Sequence, residues 1–241
     1  MDDFGANTLA ENESCCLGEE VAILKEIIAL DRDSAAYSSL AGELLRQFGG
    51  LQRVLRAEPG ELKALLVSGA QLSAHFRKFL QLATALARQE LRSRNILDST
   101  EKVVDYCRLR TEDPCREQLF GLYLDGDFRL ISEKLLQNGT VNHVTVYPRE
   151  ILRHALLQQA AHIVLIHNHP GGNPHPGWRD VEMTRELASI SSRLGIGLAD
   201  HIILGGNGFF SFRQSGKLRQ CQAEQACDPV PLGTQFMRVG V

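Results

Sequence analysis

The chain has 241 residues, 44% of them apolar and 23% charged, with a formal net charge of −3. That size holds one large domain or two small ones, and that balance belongs to ordinary globular proteins rather than to fibrous or low-complexity chains. No apolar run approaches the roughly 20 residues of a membrane helix, and the acidic start lacks a signal peptide's basic-then-apolar layout, so no membrane partner is expected.

Residues 1–18, "MDDFGANTLAENESCCLG", are polar and acidic and are expected to be disordered. Helical periodicity follows over 19–92. "EEVAILKEIIAL" places Val21, Leu24, Ile27 and Ile28 on one face, and "SAAYSSLAGELLRQFGG" stops at Gly49 and Gly50. "AQLSAHFRKFLQLATALARQEL" repeats Leu72, Phe76, Phe79, Ala83 and Leu86 at three-to-four spacing. This half reads as a small all-α bundle of four or five short helices, and "LRSRNILDST", residues 91–100, reads as a linker.

"KVVDYCRLR" gives one more helix. "EQLFGLYLD" (117–125), "FRLISEKLL" (128–136) and "TVNHVTVY" (140–147) read as strands, with "DGD" as the tight turn between the first two. Pro148, at a first helical position, opens "PREILRHALLQQAA". "HIVLIH" (162–167), short, apolar and rich in β-branched residues, suits a buried strand parallel to its neighbours. A helix from Asp180 to Leu194 ends at Gly195, and "ADHIILG" and "GFFSFRQ" supply two closing strands around "GNG". Strands interleaved with helices indicate an α/β layered domain over 98–220, with 221–241 as a C-terminal tail.

Charge is unevenly spread. Residues 1–20 carry six acids and no base, whereas residues 46–94 carry nine bases against Glu58, Glu61 and Glu90, a local net of +6. A basic segment of this kind can meet nucleic acid, but the plainer expectation is a solvated helical surface. Cys15, Cys16, Cys107, Cys115, Cys221 and Cys227 form no CxxC pair, a usage expected of reduced thiols in a cytoplasm.

The chemistry concentrates in "HNHPGGNPHPGWRD", residues 167–180. Side chains on a strand alternate faces, so His167 and His169 point the same way at the end of "HIVLIH". Pro170, Gly171 and Gly172 stop the strand and free the chain to turn back, delivering Asp180 at a helix start. Two readings fit: a polar turn, or three ligands of a tetrahedral zinc site with one position open for water. Zinc lowers the pKa of such a water to about 7, and the site then needs a general base, usually a Glu. His175, in the same loop, is expected to be exposed.

These residues resemble the JAB/MPN metalloprotease signature (the JAMM motif), in the variant of the bacterial RadC-like proteins. "GTVNHVTVYPREILRHAL", "IVLIHNHPGGNPHP" and "LADHIILGGNGFFSF" are similar to successive blocks of that family, across residues 98–220. The resemblance implies a JAB/MPN-type (cytidine-deaminase-like) mixed sheet flanked by helices, preceded by a small helical domain. It implies zinc bound by His167, His169 and Asp180. "CREQLFGLYLD" matches the block with the family's catalytic Glu, making Glu117 the candidate base and proton shuttle. Glu150 is the rival, but it sits in a helix's first turn, where an acid is favoured anyway. Asp200 and His201 match the family's "DHII" block as strand-end residues with a structural or supporting part.

Departures from the family pattern bear on activity. Gly177 stands three residues before the Asp where the motif carries Ser, whose hydroxyl is taken in JAB peptidases to help hold the oxyanion. Loss of one such donor typically lowers a rate by about 10²- to 10³-fold. Gly171 and Asn173 replace the more usual Ser and Asp, and Tyr147 stands where the family often has His. The helix-hairpin-helix segment of RadC-like proteins corresponds here to "LLVSGAQLSAHF", with only Gly69 where two glycines are expected. The leading expectation is a zinc-dependent hydrolase of a peptide, isopeptide or similar amide bond. The rivals are a zinc-binding pseudoenzyme and a nucleic-acid adaptor for DNA repair.

Overall fold

The computed structural model describes residues 18–28, 37–63, 69–111, 116–139, 147–206 and 208–223. The expected disordered start, most of the strand read over 140–147, Asn207 of the "GNG" turn, Cys15, Cys16, Cys115 and Cys227 lie outside these residues. The chain divides into two compact units between Leu86 and Ala87.

The first unit is all helical: α1 (residues 18–28), α2 (Tyr37–Phe48), α3 (Leu51–Arg56), α4 (Pro59–Lys63) and most of α5 (Gly69–Ser93). Leu24 and Ile28 of α1, Leu44 and Leu45 of α2, Val54, Leu62, Leu72 and Phe76 form its core. Helix α2 stops where the sequence says it should. Gly49 and Gly50 adopt φ values of +75° and +137°, which glycine tolerates without a Cβ clash, and the Gly49 amide donates to the Leu45 carbonyl. Helix α5 corrects the expectation of short helices, for it is one element of 25 residues. Its expected apolar face is buried only at Leu72 and Phe76; Phe79 is 36% and Leu86 59% exposed. Periodicity identifies which face is apolar, but not how far along the helix a partner extends. Gly69 is the first residue of α5, and residues 64–68, which include part of the hairpin-like stretch, lie outside the described residues.

The second unit begins within α5. The stretch 91–100 is not an open linker: Leu91 and Ile96 are buried in this unit's core beside α6 (Thr100–Arg110). Asn95 accepts from the Leu97 amide to start a 3₁₀ turn at Ile96–Asp98, and Ser99 caps α6 by accepting from the Lys102 amide. Strands β1 (Gln118–Leu124), β2 (Leu130–Asn138), β3 (His162–Asn168), β4 (Gly197–Gly205) and β5 (Gly208–Ser211) form one sheet in the order β2-β1-β3-β4-β5. Among the described strands only β3 and β4 are parallel; β1 is antiparallel to both β2 and β3. Asp125 makes the β1–β2 turn by accepting from the amides of Asp127 and Arg129.

Helices cover both faces of this mixed sheet. Tyr123, Ile163, Leu165, Ile203 and Phe212 pack with α7 (Pro148–Leu157), α8 (Trp178–Arg193) and α9 (Lys217–Ala223). Leu122, Leu124, Val164, Ile166, Ile202 and Leu204 pack with α6 and the end of α5. Successive strand residues alternate between the two clusters, as the pleat requires. Helix α9 also occupies the start of the expected tail and buries Leu218 and Cys221; residues 224–241 lie outside the described residues.

Candidate metal centre

Strand parity delivers the first groups. Ile163 and Leu165 face the α7–α8 layer, so His167, two residues on, does too, and it is buried. The His169 amide donates to the Leu204 carbonyl at 2.7 Å, continuing the β3–β4 pairing past the end of β3 and keeping the second ring on that side. On β1, Tyr123 faces the same layer. Leu119 pairs with His167, so Glu117, two residues earlier, arrives beside His169.

The loop between β3 and α8 orients the second ring. His169 Nδ1 donates to the Asn173 carbonyl at 2.8 Å, which turns Nε2 inward. Asn173 Oδ1 accepts from the His175 amide at 3.0 Å, an acceptor role that an Asp would fill equally. The loop lies close over β4: a Cβ on Gly205 would sit 2.6 Å from Pro174 N and 2.7 Å from the Gly172 carbonyl oxygen. Glycine is required there for the loop to approach.

Helix α8 supplies the carboxylate. Asp180 is in its first turn, where unpaired backbone N–H groups favour an acid, and Oδ2 accepts from the Gly177 amide at 2.7 Å. The other ends of these groups converge. His167 Nε2 and His169 Nε2 are 2.9 Å apart, and Asp180 oxygens lie 3.4 Å from the former and 3.6 Å from the latter. Ligand atoms of Glu117, His167 and His169 all lie within 4.8 Å of one another, the one such grouping of metal-capable side chains among the described residues.

Burial and charge sort these groups. Burial pushes the His167 ring down to about 4, so it is neutral at ordinary pH despite Asp180 nearby. His201, wholly buried, is held well below the usual range by the same cause. The hydrogen bond to Asp180 raises His169 against the effect of its partial burial. Burial works to raise Asp180, but the hydrogen bond to His169 and the neighbouring rings bring it down to about 2. A permanent carboxylate facing two imidazole nitrogens, with a second carboxylate adjacent, is a donor set that fits a borderline divalent cation.

The sequence reading brings Glu117, His167, His169 and Asp180 to one place. It does not bring Glu150, whose carboxylate pairs with Arg149 and Arg153 on the exposed side of α7. His175 is exposed, 6.1 Å from the Phe210 ring. Asp200 and His201 are not strand-end residues: they lie inside β4. Asp200 accepts from Ser211 Oγ and from the His201 and Arg213 amides, a structural role. His201 Nε2 reaches His167 Nδ1 at 2.9 Å, and His201 Nδ1 reaches Thr184 Oγ1 at 2.6 Å. Thr184 belongs to no motif in the sequence, although its position one turn after Asp180 on the same helix face is a usable signal.

Residues 97–217 match the family model described as RadC-like JAB domain. A protein of Leptothrix cholodnii (strain ATCC 51168 / LMG 8142 / SP-6), described as "UPF0758 protein", is 36% identical over 222 residues, 90% of this chain and the whole of that relative. The chain belongs to the RadC-like JAB family. The site's residues come from the start of β1, from β3 and the loop after it, from α8 and from β4. Of the departures from the RadC-like pattern, Gly177 is the α8 N-cap, Gly171 is an exposed loop residue, and Tyr147 is 55% exposed with the Arg149 guanidinium 4.7 Å from its ring centre.

Proposed function

We propose that the chain is a zinc-dependent hydrolase of a peptide, isopeptide or related amide bond, with His167, His169 and Asp180 as ligands and Glu117 as the acid–base group. The observation that carries the reading is the convergence of both Nε2 atoms on Asp180 with Glu117 alongside. The two carboxylates have different surroundings, and that divides their roles. Asp180 is pinned to a helix start by the Gly177 amide and stays ionised down to about 2, as a permanent ligand should. Glu117 precedes β1 and is half-buried, within reach of His169 but not anchored in a helix cap.

Zinc in such a site acts as a Lewis acid and makes water nucleophilic near neutral pH. Glu117 would hold a proton at a carboxylate oxygen beside the metal and pass it to the leaving nitrogen. His169 Nδ1, committed to the Asn173 carbonyl, leaves only Nε2 to bind. Gly177 offers a backbone amide but no hydroxyl, and that amide is already engaged by Asp180. This favours a second reading, a protein that keeps the metal and lacks turnover.

Metal analysis and peptide hydrolysis on one set of variants test both readings. His169→Ala is expected to lose the zinc that the dialysed parent retains. Glu117→Gln is expected to keep zinc while turnover falls about 10²- to 10⁴-fold. Full zinc in His169→Ala, or full activity in Glu117→Gln, would overturn the assignment. Zinc retained with no turnover in any form, on peptide and isopeptide substrates alike, would leave the second reading.

A further inference from the structure

We infer that Thr184 and His201 are positioning residues: together they fix which nitrogen of His167 faces the metal. The purpose of this relay rests on the metal-binding reading above, but its hydrogen-bond assignment does not.

Thr184 is 0% exposed, and its hydroxyl has two partners, the Asp180 main-chain carbonyl and His201 Nδ1. A carbonyl can only accept, so the single hydroxyl hydrogen goes to it. The Thr184 oxygen then accepts from His201, which places a hydrogen on His201 Nδ1. His201, also 0% exposed, lies flat against the Phe212 ring, with centroids 4.9 Å apart and planes 10° from parallel. Buried in that way it holds one hydrogen, and its Nε2 is a lone pair. His167 Nδ1, 2.9 Å away, must therefore donate to it. His167 Nε2 is left as a lone pair directed at His169 and Asp180.

The reverse assignment fails at Thr184 whatever the site binds, and at His167 on the metal-binding reading. It would set the Thr184 oxygen against the Asp180 carbonyl with no hydrogen between them, in a place water does not reach. It would also put a hydrogen on His167 Nε2, the atom that must bind. Outer partners commonly set ligand tautomers in this way, and their loss typically lowers metal affinity about 10- to 100-fold. The relay terminates in a helix carbonyl, which stores no proton, so it orients rather than conducts. It also ties both sides of the centre to one helix: the Asp180 carboxylate faces His167 Nε2 while the same residue's carbonyl anchors the chain that reaches His167 Nδ1.

Long-range ¹⁵N–¹H correlations of the imidazoles in the metal-free parent, at mildly alkaline pH, test the assignment directly. His167 and His201 are both expected as Nδ1–H tautomers. A His167 carrying its hydrogen on Nε2 would overturn the relay. Thr184→Val keeps the side chain's shape and removes the donor, whereas Thr184→Ser keeps the hydroxyl. Zinc affinity, measured by chelator competition, is expected to fall about 10- to 100-fold in Thr184→Val and to recover to within a few-fold of the parent in Thr184→Ser. Parent affinity and parent tautomers in Thr184→Val would sink the inference. The measurement on the parent decides the assignment even where Thr184→Val fails to fold. Nδ1–H tautomers in a chain that binds no zinc would support the relay and overturn only the reading it serves.

Discussion

A side-chain Cβ at position 177 would fit the protein as it stands. Gly177 has φ −76° and ψ 171°, an extended conformation open to any residue, and a Cβ there would meet Asp180 Oδ2 at 3.4 Å, ordinary van der Waals contact. As the α8 N-cap, Ser would stabilise by only a few tenths of a kcal/mol over Gly, so a change in rate can be read without a large change in folding. If the proposed mechanism holds, Gly177→Ser should raise kcat, toward about 10²-fold where no water or amide already fills the role, with zinc content unchanged. A kcat at or below the parent's would remove Gly177 as the cause of slow turnover. The buried rings make a second prediction, for the protein stripped of metal with chelator. His167 titrates at about 4 when folded and near 6.5 when unfolded. Its depressed value means that the unfolded chain takes up the proton first, so stability present above about 6.5 is lost as pH falls toward 4. The difference corresponds to a loss on the order of 3 kcal/mol. His201 acts in the same sense and His169 in the opposite one. Urea midpoints of the metal-free protein should fall between pH 7 and pH 5; a midpoint that held or rose would contradict it.

Strand β4 shows how one irregular residue decides what a site contains. Ile163 pairs with Leu198 but Val164 pairs with Asp200, so Ala199 is an extra residue bulged out of the parallel ladder. Without it the alternation that puts Leu198 toward α8 would send His201 to the opposite face. With it, His201 and Ile203 face the same layer as His167. Period-two reading of "LADHIILG" has no access to that phase shift, and this is why His201 was legible as a family position but not as a neighbour of His167. His167, His169 and Asp180 were legible because one strand end, one loop and one helix start bring them together within 14 residues. Glu117 is placed by the register between β1 and β3, a long-range pairing that spacing cannot reveal, so only the family resemblance pointed to it. The loop itself depends on Gly205, where a Cβ would collide with backbone rather than with a movable side chain. Gly205→Ala should therefore push residues 172–174 away, shift the Asn173 carbonyl from His169 Nδ1 and weaken zinc binding while the sheet stays folded. Zinc affinity equal to the parent's, with an unchanged circular dichroism spectrum, would show that the loop does not hold the ring.

At the scale of the whole chain, the α/β layering was legible because helices and strands alternate with clear periods and turn residues. The extent of the sheet-bearing unit was not legible, since "LRSRNILDST" looks polar and linker-like while two of its three apolar residues, Leu91 and Ile96, are 1% and 2% exposed. Both belong to the core cluster that also holds Val103, Val104 and Tyr106 of α6. Arg88, one turn before Leu91, donates to the Tyr106 hydroxyl at 3.0 Å and to Glu133 on β2 at 2.7 Å, so the end of α5 is fastened by polar contacts as well. Burying two aliphatic side chains stabilises by roughly 3 to 6 kcal/mol together, a large share of the 5 to 15 kcal/mol typical of a domain. A fragment beginning at Ala87 should thus unfold in one cooperative transition. One beginning at Asp98 lacks Leu91, Ile96 and Arg88, and should melt at much lower temperature or expose enough apolar surface to bind a hydrophobic dye. Calorimetry on the two fragments under identical conditions makes the comparison. Equal melting temperatures would mean that α6 covers the sheet without help, and that the last turns of α5 belong with the helices before them.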